Sequence, residues 1–278
     1  MQLFTASDGA EFAYTDEGAG RPLLLLHGLM AHGGFFRLQR DLAKDFRLIA
    51  IDFRGHGASR MGAGTATVDR LAADVNELAA ALDLDGAIGI GWSLGASILW
   101  RVLAGQERER FAGSVIVDMT PRVRNGADWQ LGMSPDLCDA RTAAIRDDYA
   151  AFAAAAGQAI FAQPLAGDTQ EFADWASSEF VRNDGSAIDS VWTSLVEQDF
   201  RSDLPAITQP TLVVHGLQSQ LYGPATADHL VRSLPSAQAV AFEQSGHAPH
   251  IEEAQKFNNL IREFAASLPA FREARAIA

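Results

Sequence analysis

The chain has 278 residues, and its 22 Lys and Arg against 35 Asp and Glu give a formal net charge of −13 with the seven histidines neutral. Apolar residues make up 48% and charged residues 21%, the balance of a globular chain with its own core rather than a disordered one. The acidic excess offers no basic stripe to phosphates, which argues against a nucleic-acid partner. The length fits one large domain, or a core domain carrying a sizeable insertion.

The lone cysteine, Cys138, excludes an internal disulfide and a CxxC-type metal site, and it suits a reducing compartment. The opening MQLFTASDGAEF lacks a basic start followed by an apolar core, so no secretory signal is expected. No apolar run approaches the roughly 20 residues of a membrane span. The expectation is a soluble cytoplasmic protein with a small-molecule substrate.

In chain order, segments near Leu3 to Thr5 and Glu11 to Thr15 flank Ser7-Asp8-Gly9 and read as an edge hairpin. Five apolar runs then read as strands buried on both faces: Leu23 to Leu26, Arg47 to Ile51, Ala87 to Gly91, Gly113 to Val117 and Thr211 to Val214. A further strand-like piece is Ala239 to Phe242. Helical spacing occupies Val68 to Leu82, Leu94 to Leu103, Ala225 to Leu234 and Glu252 to Leu268. This alternation predicts an α/β fold, a mostly parallel, doubly wound sheet joined by right-handed crossovers. Residues 1–120 and 206–278 make up that core. Residues 121–205 break the rhythm with helical patterns, an alanine-rich helix at Ala150 to Ala156, no convincing strand, and Trp129, Trp175 and Trp192. They read as a helical cap inserted between late strands, lying over the strand ends.

The sharpest chemical signal is Gly91-Trp92-Ser93-Leu94-Gly95, directly after one strand and opening a helix. G-x-S-x-G at a strand-to-helix turn forms a nucleophile elbow, in which the glycines let the two backbones approach and the serine stands at a strained tip. The helix beginning there aims its N–H groups and positive dipole end at charge forming near Ser93. A serine hydroxyl needs a base to take its proton. His247, in Gln244-Ser-Gly-His-Ala-Pro249 before the last helix, is the candidate, with His250 as its rival. His27, His56 and His215 read as turn-positioning groups, and His32 and His229 have no motif around them. The Leu94 amide is one expected oxyanion donor, and the Leu29 amide in His27-Gly-Leu-Met30 is the other, with Met30 its neighbour. Met30, Trp92, Met119 and Trp129 are expected to shape an apolar substrate pocket.

Together, Leu24-Leu-Leu-His-Gly28, Asp52-Phe-Arg-Gly-His-Gly-Ala-Ser59, Gly91-Trp-Ser-Leu-Gly95 and Ser245-Gly-His247 resemble the α/β-hydrolase fold, of the compact esterase-like kind with a helical cap. The resemblance spans nearly the whole chain outside 121–205. It implies activity on esters, thioesters, lactones or amides, on a fold that also hosts other chemistry. No His, Cys, Asp and Glu grouping has metal-ligand spacing, so no metal is expected, and the hydrolase reading needs no cofactor.

One position departs from that pattern. The resemblance implies an acid shortly after the strand Thr211 to Val214, but the stretch reads His215-Gly-Leu-Gln-Ser-Gln-Leu-Tyr222, with Ser219 where an aspartate is expected. Asp228 falls too far along, within a helix. Asp118, ending the earlier strand in Val-Asp-Met-Thr-Pro121, is the alternative acid to orient His247; Glu243, or a two-member Ser–His site, are the others. Asp52 and Arg54 read as organisers of their loop.

The first functional reading is a serine hydrolase acting by an acyl-enzyme on a small to medium ester, lactone or thioester, uncharged or weakly polar. The second is a cofactor-independent dioxygenase of the same fold, using a His–Asp base. The third is a non-catalytic ligand-binding relative.

Overall fold

A computed structural model of the chain describes residues 1–62 and 64–271. Eight strands form one sheet: β1 (Gln2–Thr5), β2 (Glu11–Gly18), β3 (Pro22–Leu26), β4 (Arg47–Ile51), β5 (Ala87–Trp92), β6 (Phe111–Val117), β7 (Thr211–Gly216) and β8 (Ala237–Phe242). Their order is β1-β2-β4-β3-β5-β6-β7-β8. β1 pairs with β2, and β2 with β4, antiparallel; every other pairing is parallel. The expected α/β fold is therefore the one observed.

Every residue of β3 and β5 is buried, as their unbroken apolar runs require of strands covered on both faces. β8, at the edge, leaves Gln238 and Ala239 exposed. β2 runs three residues past the expected end at Thr15. Its polar Asp16 and Glu17 carry no apolar signal but continue the ladder with β4, where Arg47 makes a bidentate pair to Asp16 at 2.9 and 2.7 Å.

Helices α1 (Val68–Ala81), α2 (Leu94–Leu103), α7 (Pro224–Ser233) and α9 (Ala254–Ser267) pack on the sheet. α1 begins where Thr67 accepts the Arg70 amide at 3.1 Å, an N-cap in the ordinary sense. The expected single helix from Glu252 is two pieces: a turn, α8 (Pro249–Glu252), then a break at Glu253 (φ −123°, ψ 51°) before α9. A kinked 3₁₀ segment, Gly33–Lys44, was not legible as a helix; it buries Phe35, Phe36, Gln39 and Leu42 against the core.

Between β6 and β7 lie α3 (Pro135–Asp147), α4 (Tyr149–Ala159), α5 (Asp168–Val181) and α6 (Gly185–Val196). The described residues of 121–205 contain two isolated β-bridges but no strand. α4 and α5 approach closely because Gly157 has no side chain: a Cβ there would stand 2.5 Å from Ser177 Cα. Phe35 joins this layer to the core, stacking on Phe180 and tilting against Trp175 with ring centroids 5.4 and 4.4 Å away. The loops after β3, β5, β6, β7 and β8 all emerge at the carboxyl edge of the parallel strands, where open α/β sheets hold their ligands.

Candidate active site

Ser93 follows β5 directly and has φ 53° and ψ −119°, a backbone state that L side chains rarely adopt. Its amide donates to the Val117 carbonyl at 3.0 Å, and its carbonyl accepts the Ala96 amide at 2.8 Å. The flanking glycines are steric necessities. A Cβ on Gly91 would lie 2.5 Å from the Gly95 carbonyl oxygen, and one on Gly95 would overlap the Leu26 carbonyl. The turn thus drives the serine side chain upward while strand and helix stay in contact beneath it.

Asp118 directly follows β6 with φ 46°, pinned by its amide donating to the Val214 carbonyl at 2.8 Å. His247 Nδ1 stands 2.6 Å from Asp118 Oδ2, and both side chains are almost wholly buried. An ionised carboxylate only accepts, so this contact assigns the proton to Nδ1 and leaves Nε2 as the acceptor. Ser219 Oγ donates to the same carboxylate oxygen at 2.7 Å. Asp118 Oδ1 is buried without a partner among the described residues.

The His247 backbone is fixed on both sides. Its amide donates to the Ile160 carbonyl at 2.7 Å, and its carbonyl accepts Trp92 Nε1 at 2.7 Å. The loop around it is gathered by Glu252, whose carboxylate accepts the amides of Ala162, Gly246 and Ala248 at 2.7, 2.9 and 3.3 Å. Burial pushes the Glu252 carboxyl up to about 7, outweighing those three donors.

Ser93 and His247 line the same narrow cavity, of about 80 Å³, together with Gly28, Leu29, Met30 and Trp92. Its remaining walls come largely from 121–205, including Met133, Arg141, Phe152 and Trp192. Ser93 Oγ makes no hydrogen bond among the described residues, His247 included; such contacts often tighten only once substrate is bound. The Leu29 and Leu94 amides have no hydrogen-bond acceptor among the described residues, as expected of groups free to receive a developing charge. Met30, in the left-handed region at φ 67°, offers its carbonyl to Asn183 Nδ2 at 2.7 Å. A larger groove, of about 370 Å³, opens beside His32, Asp52 and Trp175, but neither Ser93 nor His247 reaches it.

Two expected pocket residues lie elsewhere. Met119 is buried facing Val213 and Tyr222 in a small void behind Asp118. Trp129 is held by its indole N–H on the Arg122 carbonyl at 2.8 Å and packs edge-on to His229. The apolar bulk of each is buried away from Ser93 instead. The rival groups also stand apart. Glu243 is exposed and pairs with Lys256 at 2.6 Å, and Asp228 is exposed on α7. His250 lies behind Trp92, ring centroids 4.8 Å apart, with both ring nitrogens unpartnered among the described residues; burial pulls it down to about 3.

Supporting groups are as structural as their motifs suggested. His27 Nε2 accepts the Phe53 amide at 2.9 Å. Asp52 accepts the amides of Gly33 and Ala58 at 2.7 and 2.9 Å. Buried Arg54 is bidentate to buried Asp74 at 2.7 and 2.6 Å. Among the described residues, no group of three or more His, Cys, Asp and Glu side chains is arranged to hold a metal ion, and no helix is long and apolar enough to cross a membrane.

The sequence reading passed over Arg141, Tyr222, Ile160 and Asn183. Ile160, through its carbonyl, and Asn183, through its side-chain amide, meet backbone groups of segments remote in sequence, which leaves no local trace. Arg141 did leave one: it falls on the stripe of α3 that carries buried Cys138 and Ile145, where a charged residue is out of place.

The model of the Alpha/beta hydrolase family matches residues 23–260. A pimeloyl-[acyl-carrier protein] methyl ester esterase of Xanthomonas axonopodis pv. citri is 30% identical over 91% of this chain and 98% of its own. A non-heme chloroperoxidase of Kitasatospora aureofaciens is 28% identical over 95% of this chain and 99% of its own. Among solved structures, an esterase from Exiguobacterium antarcticum superposes with a TM-score of 0.90 at 25% identity, over 96% of this chain and 99% of that one. The chain belongs to the α/β-hydrolase family.

Proposed function

We propose that this protein is a serine hydrolase of carboxylic esters or lactones, with Ser93 as nucleophile, His247 as general base and Asp118 as the acid that orients it. The observation that carries this reading is the buried 2.6 Å contact of His247 Nδ1 with Asp118 Oδ2, on an imidazole that shares its cavity with Ser93. The esterase relatives support the same reaction class.

Ser93 Oγ attacks the carbonyl carbon while His247 Nε2 takes its proton, and Asp118 stabilises the resulting imidazolium without being protonated itself. The tetrahedral oxyanion rests on the Leu29 and Leu94 amides, donors worth roughly 3 to 4 kcal/mol each when removed. His247 then returns its proton to the leaving alcohol. Water, deprotonated by the same imidazole, attacks the acyl-Ser93 ester and frees the acid. Residues 121–205 serve as the lid, tied to the oxyanion loop through Asn183 and to the histidine loop through the Ile160 carbonyl. A cavity well below the roughly 300 to 1,000 Å³ of drug-sized ligand sites favours short acyl groups.

The dioxygenase reading would use the same His247–Asp118 pair without the serine. Ester turnover measured in wild type and in Ser93→Ala separates the two: the hydrolase reading requires turnover that disappears with the hydroxyl.

A further inference from the structure

The cavity that holds Ser93 and His247 is apolar except at one wall. There the Arg141 side chain, reaching in from α3, is the one Lys, Arg, Asp or Glu of the lining. Every other cavity-lining side chain that bears a polar atom is Ser93, His247, Tyr222 or the indole of a tryptophan. Arg141 makes neither an ion pair nor a hydrogen bond among the described residues, although the chain as a whole is rich in carboxylates. The other arginines at this end of the molecule behave differently: Arg124 is bidentate to Asp139, and Arg146 pairs with Asp189. Burial without a counter-charge depresses the guanidinium below its ordinary range, yet it stays cationic at any physiological pH.

A second donor stands nearby. Tyr222 is buried, its ring set edge-on to His247 at 6.1 Å between centroids, and its hydroxyl has no protein partner among the described residues. No acid among the described residues completes the half-buried guanidinium, and a planar guanidinium fork is matched best by a carboxylate. On the hydrolase reading of Ser93 and His247, that partner is the substrate. We propose that Arg141, assisted by the Tyr222 hydroxyl, binds a carboxylate carried by the substrate, so that the preferred substrates are short esters or lactones bearing a second, ionised acid group. This replaces the sequence-based expectation of an uncharged or weakly polar ester.

The test compares monomethyl glutarate, which is anionic, with dimethyl glutarate, which is neutral, following methanol release. Wild type is expected to favour the monoester at least tenfold in kcat/KM. In Arg141→Met that preference collapses to unity or below, chiefly through KM for the monoester, and Arg141→Lys recovers part of it. A wild type indifferent to the charge overturns the proposal, as does an Arg141→Met loss shared equally by both esters. Calorimetry with monomethyl glutarate on Ser93→Ala keeps this apart from the hydrolytic reading. Binding that vanishes in Ser93→Ala/Arg141→Met supports the anion site whether or not Ser93 is the nucleophile, and absence of binding while Arg141 is intact overturns it.

Discussion

Asp118 and Ser219 come from the ends of neighbouring parallel strands and meet at a single oxygen: the Ser219 hydroxyl donates to Asp118 Oδ2 at 2.7 Å, the same atom that His247 Nδ1 contacts at 2.6 Å. Ser219 stands where the resemblance led us to expect the acid, and the carboxylate we propose in that role reaches across from the end of β6. Because Ser93 follows β5 and β5 pairs with β6, the proposed nucleophile and acid are carried by adjacent strands.

Asp118→Asn is expected to lower kcat on p-nitrophenyl acetate by about 10³- to 10⁴-fold, since an amide in place of the carboxylate stabilises the wrong imidazole tautomer. Ser219→Ala removes one charge-assisted hydrogen bond and costs about tenfold. Asp118→Asn/Ser219→Asp restores at least tenfold over Asp118→Asn, because the new carboxylate starts from a position already in contact with this cluster. Steady-state kinetics on the three variants, each checked for folding by circular dichroism, decide it; no recovery in the double variant would mean that the β7 loop cannot present an acid to His247.

Gly95→Ala is expected to destabilise by roughly 3 kcal/mol or more, because the added methyl overlaps the Leu26 carbonyl, which belongs to the central strand β3 and cannot move aside. Gly223→Ala, where nothing lies within 4 Å of the new Cβ, stays within about 1 kcal/mol. Urea unfolding compares the two; equal midpoints would contradict the steric account of the elbow.

Acid should weaken the fold through His250. Its pKa is pulled down to about 3 in the folded chain against about 6.5 unfolded, so the unfolded chain binds the proton first. Its contribution is complete above pH 6.5 and is lost as pH falls toward 3, amounting to about 2 kcal/mol between pH 6.5 and 5. Glu252, raised to about 7, acts with the opposite sign, stability falling as pH rises from its unfolded value toward 7. The two overlap, so the difference between wild type and His250→Leu isolates the histidine. Tm measured from pH 7 to 5 should drop less in the variant; parallel curves would contradict this.

The fold and two of the three candidate catalytic residues were legible because their signals are local. A strand that is apolar on both faces, a glycine pair around a serine, and a histidine before the last helix each need only a few neighbouring residues. The acid required a longer argument, by elimination at Ser219, since nothing in Val-Asp-Met-Thr distinguishes a working carboxylate from a structural one. Pocket residues were the least legible. Trp129 and Met119 share composition with Trp192 and Met133, and only the packing of the inserted helices decides which of them face Ser93. The 3₁₀ segment Gly33–Lys44 escaped for a related reason: its apolar positions serve a kinked path, with Phe36 outside helical geometry, rather than one regular period.

The reactivity of the Ser93 hydroxyl is measured most directly by peptide mapping by mass spectrometry after exposure to a fluorophosphonate. The predicted result is a single adduct on the peptide containing Ser93, absent from Ser93→Ala and strongly slowed in His247→Gln. An adduct of undiminished yield in Ser93→Ala, or none on that peptide in wild type, would contradict it.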